Sequence, residues 1–445
     1  MNIKARIDAS PMSRMQMGVI TICLALNFID GYDVLVMAFS ADNISADLGL
    51  SGGQLGILLA SALLGMALGA LFIAPVADRI GRRNAIIAST SVITLGMLAS
   101  AFAPSYEILL IFRVITGLAV GTMQTSLNVL VSEYANNRRR ATAVSIYSTG
   151  QPIGGVIGGM IVAWLLATFA DWRVTFIVGA IITAAMLPVI LRWLPESIDY
   201  LNAKRQPNAL EKINKVLARM HQPALDSLPE PEITDTGNAN LASLFRNGLA
   251  LKTILLAFAM MMIMGSFYFA NSWTPKLLTE SGFSSNAGIT AGVLFSFGAI
   301  IGSLLFAWLG ARYDTQKMVA VFAVAAALAF AAFGYFADGI TAALVAAVFL
   351  GISANGAIAG MFSLAPSRYD ANVRATAVGL IGGIGRAGGV ISPILAGSLI
   401  DAGWIPADIY FVFVIPLALG ALALFIAPRA AARRATRTEQ LVTSA

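Results

Sequence analysis

The sequence predicts an all-α membrane protein with twelve transmembrane helices arranged in two parallel six-helix halves. Of its 445 residues, 58% are hydrophobic and only 12% are charged, whereas about 25% of the residues in a typical soluble protein are charged. Twelve apolar runs are each long enough to cross a hydrocarbon core of about 30 Å. A motif in the first half recurs six runs later, which indicates that the two halves have the same orientation.

Charged and turn residues bound the apolar runs, which we therefore interpret as spans. They lie at residues 17–39, 53–74, 85–103, 108–131, 141–168, 173–194, 251–274, 287–310, 318–337, 341–362, 375–400 and 407–427. The polar stretch between spans six and seven contains a pattern typical of an amphipathic helix at 209–220. We divide the chain into an N-terminal half (1–194), a central loop (195–250), a C-terminal half (251–428) and a tail (429–445).

Basic residues orient these spans in the membrane. They precede the first span and follow the even-numbered spans, whereas the opposite loops hold only Arg173 and Lys276. The positive-inside rule then places both termini, the central loop and the tail in the cytoplasm. We expect a multi-pass protein of a bacterial inner membrane. Its net charge of +6 follows from this topology, so we expect the lipid bilayer and not nucleic acid as its partner.

The repeat begins at the cytoplasmic end of spans five and eleven. Arg140-Ala-Thr-Ala-Val144 is followed, after nine residues, by Gly154-Gly-Val-Ile157. Arg374-Ala-Thr-Ala-Val378 is followed at the same spacing by Gly388-Gly-Val-Ile391. Two halves of equal orientation, with a site at their interface near the midplane, are the layout of many secondary transporters.

The residue inventory excludes several kinds of site. The chain has one cysteine, Cys23, and one histidine, His221, which lies in the central loop. These leave no disulfide framework, thiol metal cluster or histidine proton relay within the spans. No phosphate-binding loop of the G-x-x-x-x-G-K-S/T type is present. We therefore expect no metal, no cofactor and no coupling to ATP hydrolysis within this chain.

Two acids in the first span are the most informative residues. Asp30 and Asp33 lie within an apolar run, where a carboxylate costs about 2.5–3.5 kcal/mol even on the mildest insertion scale. A plain interpretation is that the helix ends near Ile29 and that Asp33 is already in water. The functional interpretation is a buried acidic site that binds or moves a proton. Burial favours the neutral form of Asp30 and a neighbouring arginine favours the charged form, and the sequence leaves the balance open.

Two arginines within spans are the natural partners of these acids. Arg113 and Asp33 each lie about six residues from the outer end of their span, so we expect them at equal depth and paired. This pair either only holds spans one and four together or breaks on proton or substrate binding to permit movement of the halves. Arg386 lies near the middle of span eleven, where its planar guanidinium suits a carboxylate. Arg386 binds the substrate carboxylate in one interpretation and only partners Asp30 in the other.

Aromatic and polar side chains within the spans could recognise an aromatic ring. Rings such as Tyr32 and Trp273 could stack on a planar substrate, although packing against lipid or other helices is the more common role for each single ring. The amide side chains either bind substrate hydroxyls or bond helix to helix. These amide candidates are Gln124, Asn128, Gln151, Asn271 and Asn355.

On these motifs, the chain resembles the major facilitator superfamily. Ala77-Asp-Arg-Ile-Gly-Arg-Arg83 is similar to the end of its loop signature G-x-L-A-D-R-x-G-R-R, with Ala74 in place of the first Gly. Arg113-Val-Ile-Thr-Gly117 and Leu194-Pro-Glu-Ser197 resemble its fourth-span and sixth-span patterns, and the loop Gly310–Asp314 is a degenerate second copy. Asp30-Gly-Tyr-Asp33 is similar to the D-G-x-D signature of its aromatic acid:proton symporters.

The resemblance implies a further group of charged residues. In the superfamily, charged residues at the cytoplasmic ends of spans form a network that latches the inward side shut. The residues that match are Asp78, Arg79, Arg82, Arg83, Glu133, Arg140 and Arg374. Simple topology also explains these charges, and the two interpretations are compatible. The resemblance further implies that the protein acts as a single chain.

Residues and resemblance together predict a proton-coupled importer of small aromatic carboxylates such as hydroxybenzoates, working by alternating access. Asp30 and Asp33 are the expected proton-coupling residues, and Arg386 and Arg113 the expected substrate-binding cations. A symporter of a sugar acid or dicarboxylate is the nearest alternative, followed by a drug/proton antiporter, although the Gly-Pro step of the exporter pattern is missing from span five. An enzyme would need a nucleophile–base set or metal ligands, and a sensor would need an output domain longer than the stretch after Pro428.

Overall fold

The computed structural model describes residues 3–205, 208–229, 241–245, 249–310, 312–336 and 339–427. Within these ranges, twelve helices are long and apolar enough to span a membrane, as the sequence predicts. We denote them α1 to α12. Their bounds are Arg14–Phe39, Gly52–Ile80, Arg82–Ala101, Tyr106–Tyr134, Thr142–Phe169, Trp172–Trp193, Ala250–Glu280, Ser285–Gly310, Thr315–Tyr335, Ile340–Ser367, Thr376–Asp401 and Pro406–Ile426. The predicted tail, 429–445, lies outside the described residues.

The two halves repeat the same helix pairs. In the N-terminal half, α1 packs on α5, α2 on α4, and α3 on both α4 and α6. The equivalent pairs of the C-terminal half are α7 with α11, α8 with α10, and α9 with both α10 and α12. The repeated glycines lie at matching contacts, because a Cβ on Gly154 would overlap the backbone of Phe28 in α1 and one on Gly388 would overlap Met261 in α7.

Shorter helices lie outside the bundle. Ala209–Arg219 is an amphipathic helix, as predicted, and it buries Ile213 and Leu217. Between α1 and α2 lies the helix Ala41–Leu48. There Asp47 accepts hydrogen bonds from the Trp172 indole at 3.1 Å and the Arg173 guanidinium at 2.9 Å. These two bonds hold the pKa of Asp47 below its usual value.

The turn between α2 and α3 depends on a glycine. Gly81 has φ 101°, a conformation that side chains with a Cβ rarely adopt. A Cβ there would also overlap the Glu196 carboxylate. That carboxylate accepts from the Arg83 backbone N–H at 3.0 Å, and the Arg83 side chain donates to Leu194 O at 2.8 Å. The loop motif and the end of α6 therefore fold together as one unit within the N-terminal half.

The halves are in contact at the end of the bundle opposite the basic loops, which we call the far end. Asp401, at the end of α11, accepts from the backbone N–H groups of Gly52 and Gly53 at 2.6 and 2.8 Å. Ser51 caps the next N–H, that of Gln54. Asp401 of one half thus completes the N-terminal cap of α2 in the other.

Two further contacts close the far end. Lys276 of α7 forms an ion pair with Asp42 at 2.8 Å, across the halves. Along the seam between α5 and α8, a Cβ on Gly159 would overlap Val293, and one on Gly155 would lie 3.1 Å from the Ser296 hydroxyl. Glycines on one face of α5 therefore allow close packing against α1, and glycines on the adjacent face allow close packing against the opposite half.

At the basic end, one face of α11 has no described neighbour. A Cβ added at Gly379, Gly382 or Gly383 of α11 would meet no atom of the described residues within 4 Å. Gly382 lies eleven residues, about three helical turns, before Pro393, whose backbone packs against α2 at Gly56. The same face of α11 therefore contacts α2 at the far end and faces open space at the basic end. This is the arrangement of a transporter open on the side of its basic loops.

Candidate functional site

Asp33 and Arg113 form the buried ion pair that their depth predicts. Arg113 is 0% exposed and Asp33 is 1% exposed. One guanidinium nitrogen lies 2.8 Å from Asp33 Oδ1 and the other donates to the Asp33 backbone carbonyl at 3.0 Å. The guanidinium also lies over the Phe176 ring, 5.7 Å from its centroid. Removing either partner would leave an uncompensated buried charge, which typically costs about 3–5 kcal/mol.

Asp30 has a different environment, one turn along the same helix. It is 1% exposed, and its Oδ2 accepts a hydrogen bond from the Gln124 amide of α4. Its Oδ1 is buried without a partner among the described residues. A carboxylate oxygen without water or a donor is costly in its charged form. Asp33 also has one buried oxygen, Oδ2, without a partner among the described residues, but its charge is matched by Arg113, whereas no described cation pairs with Asp30. Asp30 is thus the acid better suited to bind a proton.

The backbone around Asp30 lies very close to α5. A Cβ on Gly31 would overlap the backbone carbonyl of Gln151, so only glycine permits this crossing. Asn27 donates to Tyr147 O at 2.7 Å on the same side of α1. Tyr32 points to α6 instead, where its hydroxyl donates to Thr175 O at 2.6 Å. Tyr32 is buried, so its ring is used for packing in this conformation and does not reach a cavity.

Arg386 is the second arginine that the sequence predicts within the site. It lies near the middle of α11, and its side chain is exposed. It does not pair with Asp30 among the described residues, because Asp30 Oδ2 bonds Gln124 and Oδ1 has no partner. Gly379, Gly382 and Gly383 lead to it from the basic end on the open face of α11. A guanidinium is unfavourable in lipid, so we infer that this face lines a water-accessible path and that Arg386 lies at its inner end.

The other predicted site residues divide into two groups. Asn128 is exposed and Gln151 is half-buried. Asn355 donates to Ala299 O and to the Ser303 hydroxyl, each at 2.7 Å, and so bonds α10 to α8. Trp273 is fully buried and donates to Pro393 O at 3.1 Å. Asn271 is buried beside it in α7. Asn355 and Trp273 thus act as structural residues in this conformation.

The predicted latch residues contact their own half and do not bridge the halves in this conformation. Asp78 pairs with Arg82, and the Arg79 carbonyl accepts from the Tyr200 hydroxyl. Arg140 pairs with Asp8 of the N-terminal helix. Of the remaining three, Arg83 donates to Leu194 O as described above, and Arg374 donates to Tyr369 O at 3.3 Å. Glu133 has one buried oxygen without a partner among the described residues. This pattern fits a structure whose basic end is open.

Sequence reasoning missed three features. Tyr268 is a half-buried tyrosine of α7 beside α11, and the sequence showed it only as one aromatic residue among several. Asp401 and the Lys276–Asp42 pair close the far end, but these residues flank spans and look like ordinary loop charges. Among the described residues, no cluster of three or more His, Cys, Asp or Glu side chains could hold a metal ion.

Comparison with known proteins identifies the family. The Major Facilitator Superfamily model matches residues 20–386 and 256–444. The 4-hydroxybenzoate transporter PcaK of Acinetobacter baylyi is 30% identical, with 96% of this chain and 94% of that protein covered. The gallate transporter of Pseudomonas putida is 28% identical, with 90% and 89% covered. The inward-open structure of the xylose transporter XylE from E. coli superposes with a TM-score of 0.73 at 17% sequence identity. The match covers 93% of this chain and 96% of that one, so the two proteins share the fold. The chain therefore belongs to the major facilitator superfamily and is a multi-pass membrane transporter, not an enzyme.

Proposed function

We propose that this protein is a proton-coupled importer of small aromatic carboxylic acids of the hydroxybenzoate type. It would act by alternating access in a bacterial inner membrane, with its basic end in the cytoplasm. The relatives named for 4-hydroxybenzoate and gallate support the substrate class, since both compounds are hydroxylated benzoates. The positive-inside distribution supports the orientation.

One observation carries the mechanism: a buried, half-bonded carboxyl group and an exposed guanidinium lie at mid-depth in opposite halves. Arg386 would bind the substrate carboxylate through charge-assisted hydrogen bonds. Asp30 would carry the proton, because its free Oδ1 accepts a proton without breaking the Gln124 bond to Oδ2. Uptake of an anion against a negative-inside potential requires positive charge to move with it, and the proton supplies that charge.

The latch residues complete the cycle. In the state open at the basic end, Asp78, Arg82 and Arg140 pair within the N-terminal half. We propose that these groups, with Arg79, Arg83, Glu133 and Arg374, contact the other half when the cytoplasmic side closes. The far-end contacts of Asp401 and Lys276 would break in the same step, so that one set of polar contacts replaces the other.

The test is uptake of labelled 4-hydroxybenzoate into proteoliposomes, with and without an inward proton gradient. Asp30→Asn mimics the protonated acid, so we expect it to lose gradient-driven accumulation while keeping exchange of labelled for unlabelled substrate. Asp33→Asn is compared in the same assay, and Asp408→Asn, an exposed acid at the far end, is the matched control. Normal accumulation by Asp30→Asn would contradict its role. Competition by sugar acids or dicarboxylates but not by benzoates would contradict the substrate class.

A further inference from the structure

Tyr268 is held in a fixed orientation on the inner face of α7. Its ring packs edge-on against Phe267, with centroids 5.4 Å apart and planes at 83°. On its other side lies Gly389 of α11, where an added Cβ would be only 2.6 Å from Tyr268 Cδ2. The absence of a side chain at Gly389 therefore makes the space in which the ring lies.

This packing places Tyr268 next to Arg386. Gly389 follows Arg386 by three residues, so the two positions share one face of α11 and lie about one turn apart. The phenol thus lies beside the proposed anion site.

The hydroxyl of Tyr268 is free, unlike those of the tyrosines in the helix core. Tyr32 donates to Thr175 O, Tyr134 to Glu196 O, and Tyr410 bonds to Thr274. No described residue forms a hydrogen bond with the Tyr268 hydroxyl. Half-buried at mid-membrane, a tyrosine without a protein partner is a polar group available to a ligand.

Two of the five candidate amides are already committed to other groups. Gln124 donates to Asp30, and Asn355 bonds α10 to α8. With its carboxylate on Arg386, an aromatic substrate would extend its ring from that residue, and Tyr268 packs about one helical turn away on the same face of α11. A phenol both donates and accepts one hydrogen bond, which matches a ring hydroxyl of the substrate.

We propose that the Tyr268 hydroxyl binds a ring hydroxyl of the substrate and so makes the site selective for hydroxylated aromatic carboxylates over benzoate. This inference rests on the proposed function and names the residue that distinguishes the ring substituent. The Tyr268 ring supplies a stacking surface for any benzoate, whereas its hydroxyl forms a hydrogen bond only with a substrate that has a hydroxyl group within reach.

The test compares affinities for benzoate, 3-hydroxybenzoate and 4-hydroxybenzoate in the wild-type protein and in Tyr268→Phe. Loss of one neutral hydrogen bond predicts that Tyr268→Phe binds at least one hydroxylated isomer about five- to tenfold more weakly. Its affinity for benzoate should change by less than about twofold. Tyr32→Phe, which loses a hydroxyl committed to Thr175, should keep the wild-type preference. Gly389→Ala, which displaces the whole Tyr268 ring, should weaken the binding of benzoate as well as of the hydroxybenzoates, in contrast to the selective loss in Tyr268→Phe.

Each other outcome has a definite meaning. In Tyr268→Phe, equal weakening of benzoate and both hydroxybenzoates would show that the hydroxyl binds the carboxylate, and unchanged affinities would show that it binds nothing; either result overturns the proposal. A wild-type protein that binds neither benzoate nor either hydroxybenzoate would instead refute the proposed function, and that result is visible before any variant is made.

Discussion

Asp401 should hold the far end of the transporter closed. Its carboxylate caps the first two N–H groups of α2 from the opposite half, and this contact must break when the far end opens. Removing it therefore destabilises the state described here relative to the state open at the far end. We predict that Asp401→Asn, and more strongly Asp401→Ala, increases the population of the far-end-open state.

The structure gives the magnitude. A capping side chain at a helix N-terminus contributes about 0.5–2 kcal/mol, and its negative charge there adds about 0.3–1 kcal/mol at an exposed site. Asn retains one acceptor but loses the charge and one bond, so we expect a cost of about 1 kcal/mol, or roughly a fivefold population change. Ala loses both bonds, and a cost of about 2 kcal/mol corresponds to roughly thirtyfold.

The assay uses the rate at which a buried thiol reacts with a maleimide. Ser296 is buried on the α8 side of the seam with α5, so Ser296→Cys reacts only when the seam opens. The sole native cysteine, Cys23, is fully buried and can be replaced by Ser. Because labelling rate follows the open population, it should rise about fivefold in Asp401→Asn and about thirtyfold in Asp401→Ala.

Asp408→Asn is the matched control. Like Asp401, Asp408 is an exposed acid at the far end, and it lies in the first turn of α12. It should leave the rate unchanged. If Asp401→Ala labels at the wild-type rate, the cap contributes nothing to closure and the reasoning fails. If Asp408→Asn speeds labelling equally, general surface charge and not the cap controls the seam.

Two further predictions concern the helix contacts. Gly159→Ala should push α8 away and shift the transporter towards the far-end-open state, which the same labelling rate measures. Gly154→Ala clashes with a backbone inside one half and should instead lower the yield of folded protein. Equal effects of the two variants would contradict the assignment of Gly159 to the contact between halves and of Gly154 to the contact within one half. Asp47→Asn should lower the melting temperature at pH 7. Because the folded-state pKa of Asp47 is depressed, its stabilisation is present above its unfolded pKa of about 3.9 and is lost as the pH falls through the folded value. The difference in melting temperature should therefore shrink as the pH falls below about 4 and disappear below the folded-state pKa, and a difference that does not shrink would rule out the carboxylate as its origin.

Hydropathy and charge were sufficient to predict the helices and one central pair. All twelve predicted spans correspond to membrane-length helices, because apolar length is a requirement of the bilayer and not of any particular packing. The Asp33–Arg113 pair was predictable since two opposite charges at equal depth in low dielectric must meet.

The roles of single polar residues were less predictable. Gln124 and Asn355 carry the same amide group, yet one bonds the candidate proton carrier and the other bonds two helices. Which of these occurs depends on rotation of the helices about their axes, which hydropathy does not encode. The Asp401 cap was hidden for another reason, since it joins residues about 350 positions apart and exists only while the far end is closed.

Arg113 forms two contacts with Asp33, and these limit how protonation in α1 could affect the neighbouring helices. Arg113 binds the Asp33 backbone carbonyl as well as its carboxylate, and a backbone carbonyl cannot be neutralised by a proton. We therefore expect this bond to keep α1 and α4 in contact when Asp33 is protonated. If Asp30 carries the proton as proposed, Asp33 then serves as an anchor, and the change of charge that the halves respond to takes place at Asp30.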